Sequence, residues 1–254
     1  MSTEPQVGAS AEPGARIRLW AVALCAFCPF LAIYATQPLL PSLTHIFAAD
    51  AKEVSLTITA TTLAIAVAAP FSGLVADAIG RKLVIVACIL GLSVPTALAA
   101  SASSLEQLIA WRFVQGLFIP AIFSVTLAYI GDEWASRNVG LGMSAYVSGG
   151  VVGSVLGRVV SGPVADLQSW RASFLVLAAV ICVGGLAVWL VLPRSRHFER
   201  QRNIGDSLRN MARQLKRPGL VAIFVCAFNN LFVFVGVFTY ITFYFAKPPF
   251  LRQP

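Results

Sequence analysis

Ala172-Ser-Phe-Leu-Val-Leu-Ala-Ala-Val-Ile-Cys-Val-Gly-Gly-Leu-Ala-Val-Trp-Leu-Val-Leu192 runs for 21 residues without a charged side chain. A helix that crosses the hydrocarbon core of a bilayer needs about 20 largely apolar residues. Outward from this stretch the same pattern recurs at residues 17–40, 54–75, 83–100, 105–130, 139–164 and 220–245, each run closed by short polar punctuation. With 57% hydrophobic and 12% charged residues, a water-soluble fold would have nothing with which to cover its surface. The fold class is therefore an all-α membrane protein with seven spans.

The net charge of +8 reads as topology, not nucleic-acid binding, because of where the charges lie. Arg16, Arg18, Arg81, Lys82, Arg137, Arg194, Arg196, Arg200, Arg202, Arg209, Arg213, Lys216 and Arg217 fall at alternate ends of the spans. Only Lys52, Arg171, Lys247 and Arg252 fall at the other ends. The positive-inside rule then puts the amino terminus in the cytoplasm. Residues 1–15 are small and polar and read as a disordered tail, 16–193 as a six-helix bundle, 194–218 as a basic cytoplasmic loop and 219–254 as a seventh span with a short outer tail. The basic loop would lie against anionic lipid headgroups. Arg16 and Arg18 ahead of an apolar run also suit a signal peptide; six further spans favour a retained helix.

Cys25 and Cys28 form a C-x-x-C pair, yet no histidine or third cysteine is near and both lie in an apolar run, so packing is the reading and no metal or cofactor is expected. Asp50 with Glu53, and Ser103 with Glu106, have capping-box spacing ahead of the second and fourth spans. Gly149, Gly153, Gly157 and Ser161 form a ridge on the fifth span beside a second ridge of Gly150, Ser154, Arg158 and Gly162, with Pro163 following. Small residues at this spacing let helix backbones approach; the same smooth face also suits a sliding or gating surface.

An ionisable group in hydrocarbon costs at least about 2.5 kcal/mol, so each one needs a reason. Arg112 shares a helix face with Gln115 and Gly116. Two readings are open: a cation and an amide facing a cavity together, or an arginine that snorkels to the headgroups. Arg158, about a turn and a half from the end of its span, reads more simply as snorkelling. Asn229 and Asn230 in the seventh span, with Tyr240 further along, want cross-helix partners or a wet cavity. No Asp or Glu lies well inside a span; Glu106 and Asp166 are at span ends.

Between the second and third spans stands Gly73-Leu-Val-Ala-Asp77-Ala-Ile-Gly80-Arg81-Lys82, two glycines for a tight turn with one acid and two bases. This stretch resembles the signature Gly-x-x-x-Asp-(Arg/Lys)-x-Gly-(Arg/Lys)-(Arg/Lys) of the major facilitator superfamily, with Ala78 where a base is usual. Arg112-Phe-Val-Gln115-Gly116 resembles the family's fourth-helix motif, whose arginine is assigned to substrate binding or proton transfer; the glycine-rich fifth span ending in Gly162-Pro163 resembles the fifth-helix motif of its exporters; and Tyr34-Ala-Thr-Gln37-Pro-Leu-Leu-Pro41, with Gly157-Arg158 and Ser169-Trp170-Arg171, is similar to a bacterial branch of drug and metabolite exporters. The resemblance covers residues 16–249. It implies a six-helix amino-terminal half built as a 3+3 inverted repeat, plus one helix of a second half, in the bacterial inner membrane. It also implies proton-coupled export of a small organic molecule, with protons, lipid and a missing carboxy-terminal half or a second copy as partners. Arg112, Gln115, Asn229, Asn230, Tyr34 and Tyr240 would bind substrate. Gly73, Asp77, Gly80, Arg81 and Lys82 would form a conformational latch, with Asp77 meeting the absent half. Gly149, Gly153, Gly157, Arg158, Gly162 and Pro163 would serve packing or gating. An odd number of spans reads as an interrupted chain. A seven-helix receptor is the alternative; the cytoplasmic amino terminus and the motifs oppose it, and no enzyme activity is expected.

Overall fold

The computed structural model of the protein describes residues 13–134, 138–193 and 217–245. Their helices are α1 (Pro13–Tyr34), α2 (Leu40–Phe47), α3 (Ala51–Ile79), α4 (Arg81–Ala99), α5 (Leu105–Glu133), α6 (Val139–Leu167), α7 (Trp170–Val191) and α8 (Pro218–Phe245). A single 3-10 turn, Gln37–Leu39, joins α1 to α2. Residues 1–12 of the expected disordered tail, 194–216 of the basic loop and 246–254 of the outer tail lie outside the described residues, while residues 13–15, expected in the tail, are the first residues of α1. Seven spans among the described residues have the length and apolarity to cross a membrane, with α1, the turn and α2 together making the first, Arg16–Phe47.

That first span is longer than the run at 17–40 suggests, and it is broken. Pro38 and Pro41 have no N–H, so the carbonyls of Tyr34 and Gln37 cannot take the regular helical bond. The chain tightens into the 3-10 turn, where the Leu40 N–H returns to the Gln37 carbonyl, and then resumes as α2. Its far end is closed by Ala48 in the left-handed region at φ 49°, whose N–H reaches the Thr44 carbonyl.

The other boundaries follow local chemistry. Asp50 and Glu53 form the reciprocal capping box: Glu53 N–H donates to Asp50 Oδ1 at 2.7 Å and Asp50 N–H to Glu53 Oε2 at 2.9 Å. The box expected at Ser103 and Glu106 is displaced by one residue. Ser104 is the cap, accepting from Gln107 N–H at 3.2 Å, and it is Gln107 that reaches back to the Ser103 N–H at 2.9 Å. Its amide competes because it can accept from both the N–H and the hydroxyl of Ser103. Between α3 and α4 the turn is a single residue, Gly80, at φ 106° and ψ 139°, a conformation that side chains other than glycine's rarely adopt. Gly73, expected to share that turn, instead lies within α3.

Packing has a two-fold pattern. The most extensive interfaces are α1 with α6 and α3 with α5, followed by α4 with α5, α4 with α7 and α1 with α7. Exchanging α1 with α5, α3 with α6 and α4 with α7 maps this set onto itself. The first three spans and the next three therefore form two like units, and three helices each way gives them opposite orientation, the inverted repeat known from transporter halves.

The α1–α6 interface is in register. Added Cβ atoms at Gly149, Gly153 and Gly157 would strike the backbones of Ala23, Phe27 and Leu31 respectively, a constant offset along two parallel helices. In lipid this close contact supplies the dispersion attraction that a hydrophobic drive cannot. One apolar cluster, including Val22, Cys25, Leu31, Ile89, Ile122 and Ile181, fills the bundle toward the end bearing Arg16 and Arg81. A second, with Leu39, Leu43, Val54, Leu108 and Phe174, fills the opposite end. Cys25 and Cys28 are fully buried free thiols within the first cluster, with Cys28 Sγ against Gly184. The eighth helix rests against α2 and the 3-10 turn, and Thr239 is its buried residue.

Candidate functional site

Two arginines from different helices converge on the break in the first span. Arg112 of α5 is 0% exposed. Its Nη1 donates to the Ala32 carbonyl at 2.9 Å and to Gln115 Oε1 at 2.7 Å, and its Nη2 donates to the Ile33 carbonyl at 3.1 Å. The last carbonyls of a helix have no partner within it and carry the negative end of its dipole, so a guanidinium there is both cap and counter-charge. Gln115 is fixed in turn by donating from Nε2 to Thr96 Oγ1 of α4 at 2.6 Å, and Thr96 donates to the Leu92 carbonyl. Thr61 Oγ1 of α3 donates to the Arg112 carbonyl at 3.1 Å, close to where Gly116 lets α3 and α5 touch. Four helices meet through this network.

Arg112 thus does not run to a headgroup: its side chain points along α5 toward Gln115, away from the nearer helix end. Gln115 is equally enclosed at 0% exposure. The pair faces the end of α1.

Arg158 of α6 lies across the same break. Its Nε donates to Gln37 Oε1 at 2.8 Å and its Nη1 to the Ser154 carbonyl at 3.2 Å, one turn back along α6. The snorkelling expectation fails here, because the bundle offers the cation better company than the nearer interface. The guanidinium carbon sits 4.3 Å from the Tyr34 ring centre, 4.5 Å from Phe238 and 5.3 Å from Phe234. A cation over aromatic faces gains about 0.5–2 kcal/mol according to its desolvation. Gln37 is itself 1% exposed, and its Nε2 donates to Thr239 Oγ1 of α8 at 3.4 Å. A cleft of about 240 Å³ adjoins this cluster, lined by Phe30, Tyr34, Tyr146, Val147, Gly150, Val151, Ser154 and Phe234.

The remaining expected residues are dispersed. Asn229 and Asn230 are exposed on α8, Asn229 bonding only back to the Val225 carbonyl, and Tyr240 is 56% exposed. None of the three joins Arg112. In the latch motif, Arg81 is held within the bundle, paired with Asp132 at the end of α5 and donating to the Ala128 carbonyl. The side chain of Asp77 lies outside the described residues, so its expected contact does too. Gly162 rests on Pro38 of the turn, with Pro163 continuing α6.

Sequence reading missed Thr61, Thr96, Thr239 and the two phenylalanines of α8. Threonine and phenylalanine are ordinary residues in apolar helices, and only their juxtaposition with the arginines marks them. Gln37 did carry a signal, as an amide immediately before the helix-breaking Pro38 and Pro41.

A family model described as Major Facilitator Superfamily matches residues 22–248. This chain belongs to that superfamily. The inner membrane transport protein YnfM of Escherichia coli strain K12 is 30% identical over 84% of this chain and 51% of its own length. The MFS-type transporter YybF of Bacillus subtilis strain 168 is 28% identical over 88% of this chain and 56% of its own. The multidrug efflux protein YfmO of the same organism is 28% identical over 87% of this chain and 54% of its own. The chain thus spans about half the length of these relatives. In three dimensions it superposes on a bacterial homologue of the human lysosomal transporter Spinster, inward-facing and unoccupied, with a TM-score of 0.79 at 16% identity over 96% of this chain and 58% of that one. The human organic anion transporter MFSD10 gives 0.65 at 19% over 92% and 66%. This is the major facilitator fold, and the protein is a multi-pass membrane protein of a transporter family.

Proposed function

We propose that this chain forms the amino-terminal half of a secondary carrier that exports small organic molecules by alternating access, driven by a proton gradient. The observation that carries the reading is the pair of arginines, each drawn into the bundle and meeting at the break in the first span. Charge placed there at the cost of desolvation suits a polar path between the halves. Gln115 and Tyr34 stand with the arginines. Asn229, Asn230 and Tyr240, on the open face of α8, would line the path once a second half covers that face, whether a carboxy-terminal half or a second copy. Residues 16–193 would be the six-helix unit, 194–218 the linker and 219–254 the start of the second half.

The names of two relatives, one an inner membrane transport protein and one a multidrug efflux protein, support the membrane and the direction. The charge asymmetry supports a cytoplasmic amino terminus. Arg81, Lys82 and Asp77 would act at the cytoplasmic end as the latch between conformations.

The test is retention of fluorescein and of ethidium by bacterial cells that express the protein. Faster loss of at least one probe, abolished by an uncoupler and strongly reduced by Arg112→Ala, is expected. Equal retention of both with and without the protein, while it is present in the membrane fraction, overturns the transport reading.

A further inference from the structure

Arg158 is a cation without an ionic partner: among the described residues no carboxylate pairs with it, and its Nη2 is buried with no hydrogen-bond acceptor. Two of its contacts are neutral oxygens, from Gln37 and Ser154, and the rest are ring faces. Arg112 differs in that carbonyls at a helix end and Gln115 take both its terminal nitrogens, so that only its Nε, within the side chain, is buried without an acceptor. A half-buried guanidinium with a free terminal N–H group is an incomplete site. Charge-assisted bonds to a carboxylate are about twice as strong as those to neutral acceptors, and the planar fork of arginine matches the two oxygens.

The surroundings fix the rest of the ligand. Tyr34, Phe234 and Ser154 both touch Arg158 and line the adjoining cleft of about 240 Å³, so the guanidinium lies behind that wall of it, and a ligand reaches the buried Nη2 by displacing the Tyr34 or Phe234 ring. Beyond the cation the lining is aromatic or aliphatic: Phe30, Tyr146, Val147, Val151. A space of this size accepts a ring or a short branched chain. We propose that this cleft binds a small monocarboxylate with an aromatic or branched aliphatic body, its carboxylate on Arg158 and its body along α1 and α6. The inference rests on the carrier reading for its biological meaning, since it names that carrier's substrate class. The binding site itself does not.

The experiment measures equilibrium binding of benzoate and 3-methylbutanoate to the purified protein in nanodiscs of zwitterionic lipid, with benzamide and inorganic phosphate as comparisons. At least one carboxylate should bind, with benzamide on the order of tenfold or more weaker and phosphate without effect. Arg158→Gln should weaken the carboxylate on the order of tenfold to a hundredfold, and Arg158→Lys should restore part of the loss. In case the variant fails to fold, wild-type protein is treated with phenylglyoxal. Modification of Arg158, read by mass spectrometry, should slow in the bound carboxylate and not in benzamide. No binding of either carboxylate, equal binding of benzamide, or loss of binding on adding phosphatidylglycerol would overturn the proposal, the last by showing a lipid-headgroup site. If carboxylates bind while the cells export neither probe, the carrier reading falls and the site stands. If probes are exported while no carboxylate binds, the site falls and the carrier stands.

Discussion

Nη1 of Arg112 lies 2.9 Å from the carbonyl oxygen of Ala32, 80 residues earlier in the chain. The contact ties the middle of α5 to the end of α1, where the last carbonyls have no partner within the helix. Arg112→Ala would strip Ala32, Ile33 and Gln115 of their donor in a place with no water to replace it. We expect a loss of about 3 kcal/mol in the detergent-solubilised protein, strongly reduced transport and normal membrane insertion. Arg112→Lys should recover only part, since an ammonium cannot span two carbonyls and an amide in one plane. Unchanged thermal stability in Arg112→Ala would show that the network is not holding the break.

The register of α1 on α6 makes a sharper test of packing. Gly153→Val would drive a side chain into the Phe27 carbonyl and force the helices apart. Overpacking of this kind costs about 1–3 kcal/mol or more. Gly140, on the same helix, faces open space, so Gly140→Ala should be neutral or stabilising by up to about 1 kcal/mol. Thermal unfolding of both variants in one detergent decides, and equal effects would refute the close approach.

Gly80 alone joins α3 to α4 at φ 106°. A Cβ there meets no neighbouring atom, so any cost of Gly80→Ala is conformational. It should be about 1–3 kcal/mol. Gly73→Ala, inside α3, should cost nothing and gain helix propensity.

At the same end, Arg81 and Asp132 are partly exposed, with side chains 18% and 35% accessible. A double-mutant cycle with Arg81→Ala and Asp132→Ala should return a coupling of no more than about 1 kcal/mol. A larger value would mean that the pair is shielded by something packed over it, as a latch between halves requires.

Topology is open to a direct measurement. With the five native cysteines replaced by serine, a cysteine at Pro5 should react with an impermeant maleimide only after the cells are permeabilised, and one at Ala48 should react in intact cells. The reverse pattern would place the amino terminus outside.

The helices themselves were legible because lipid imposes one rule on every span, an apolar run of fixed length. Six of the seven runs begin and end within a few residues of the observed helices. The exception, the first span, shows the limit: Pro38 and Pro41 announce a break, but not that a helix resumes as far as Phe47. The reach of α2 depends on Leu40 and Leu43 packing against Val54 and Phe174. The cap at Ser104 was misplaced by one residue for a similar reason, since a glutamine one place later had the better reach.

What the sequence by itself determined was the number of spans, their alternating direction, the glycine ridge and the presence of two arginines too costly to be idle, all properties of single segments measured against a uniform solvent. What only the tertiary structure decided was where those arginines point. Arg112 and Arg158 are 46 residues apart on different helices, and nothing local to either indicates that both close on residues 32–37. That meeting follows from α5 and α6 reaching α1 at one level: the backbone contacts of Gly153 and Gly157 with Phe27 and Leu31 set α6 against α1, and that of Gly116 with Thr61 sets α5 against α3. Close packing sets the depth of each helix against its neighbours, and the depth selects which polar groups meet.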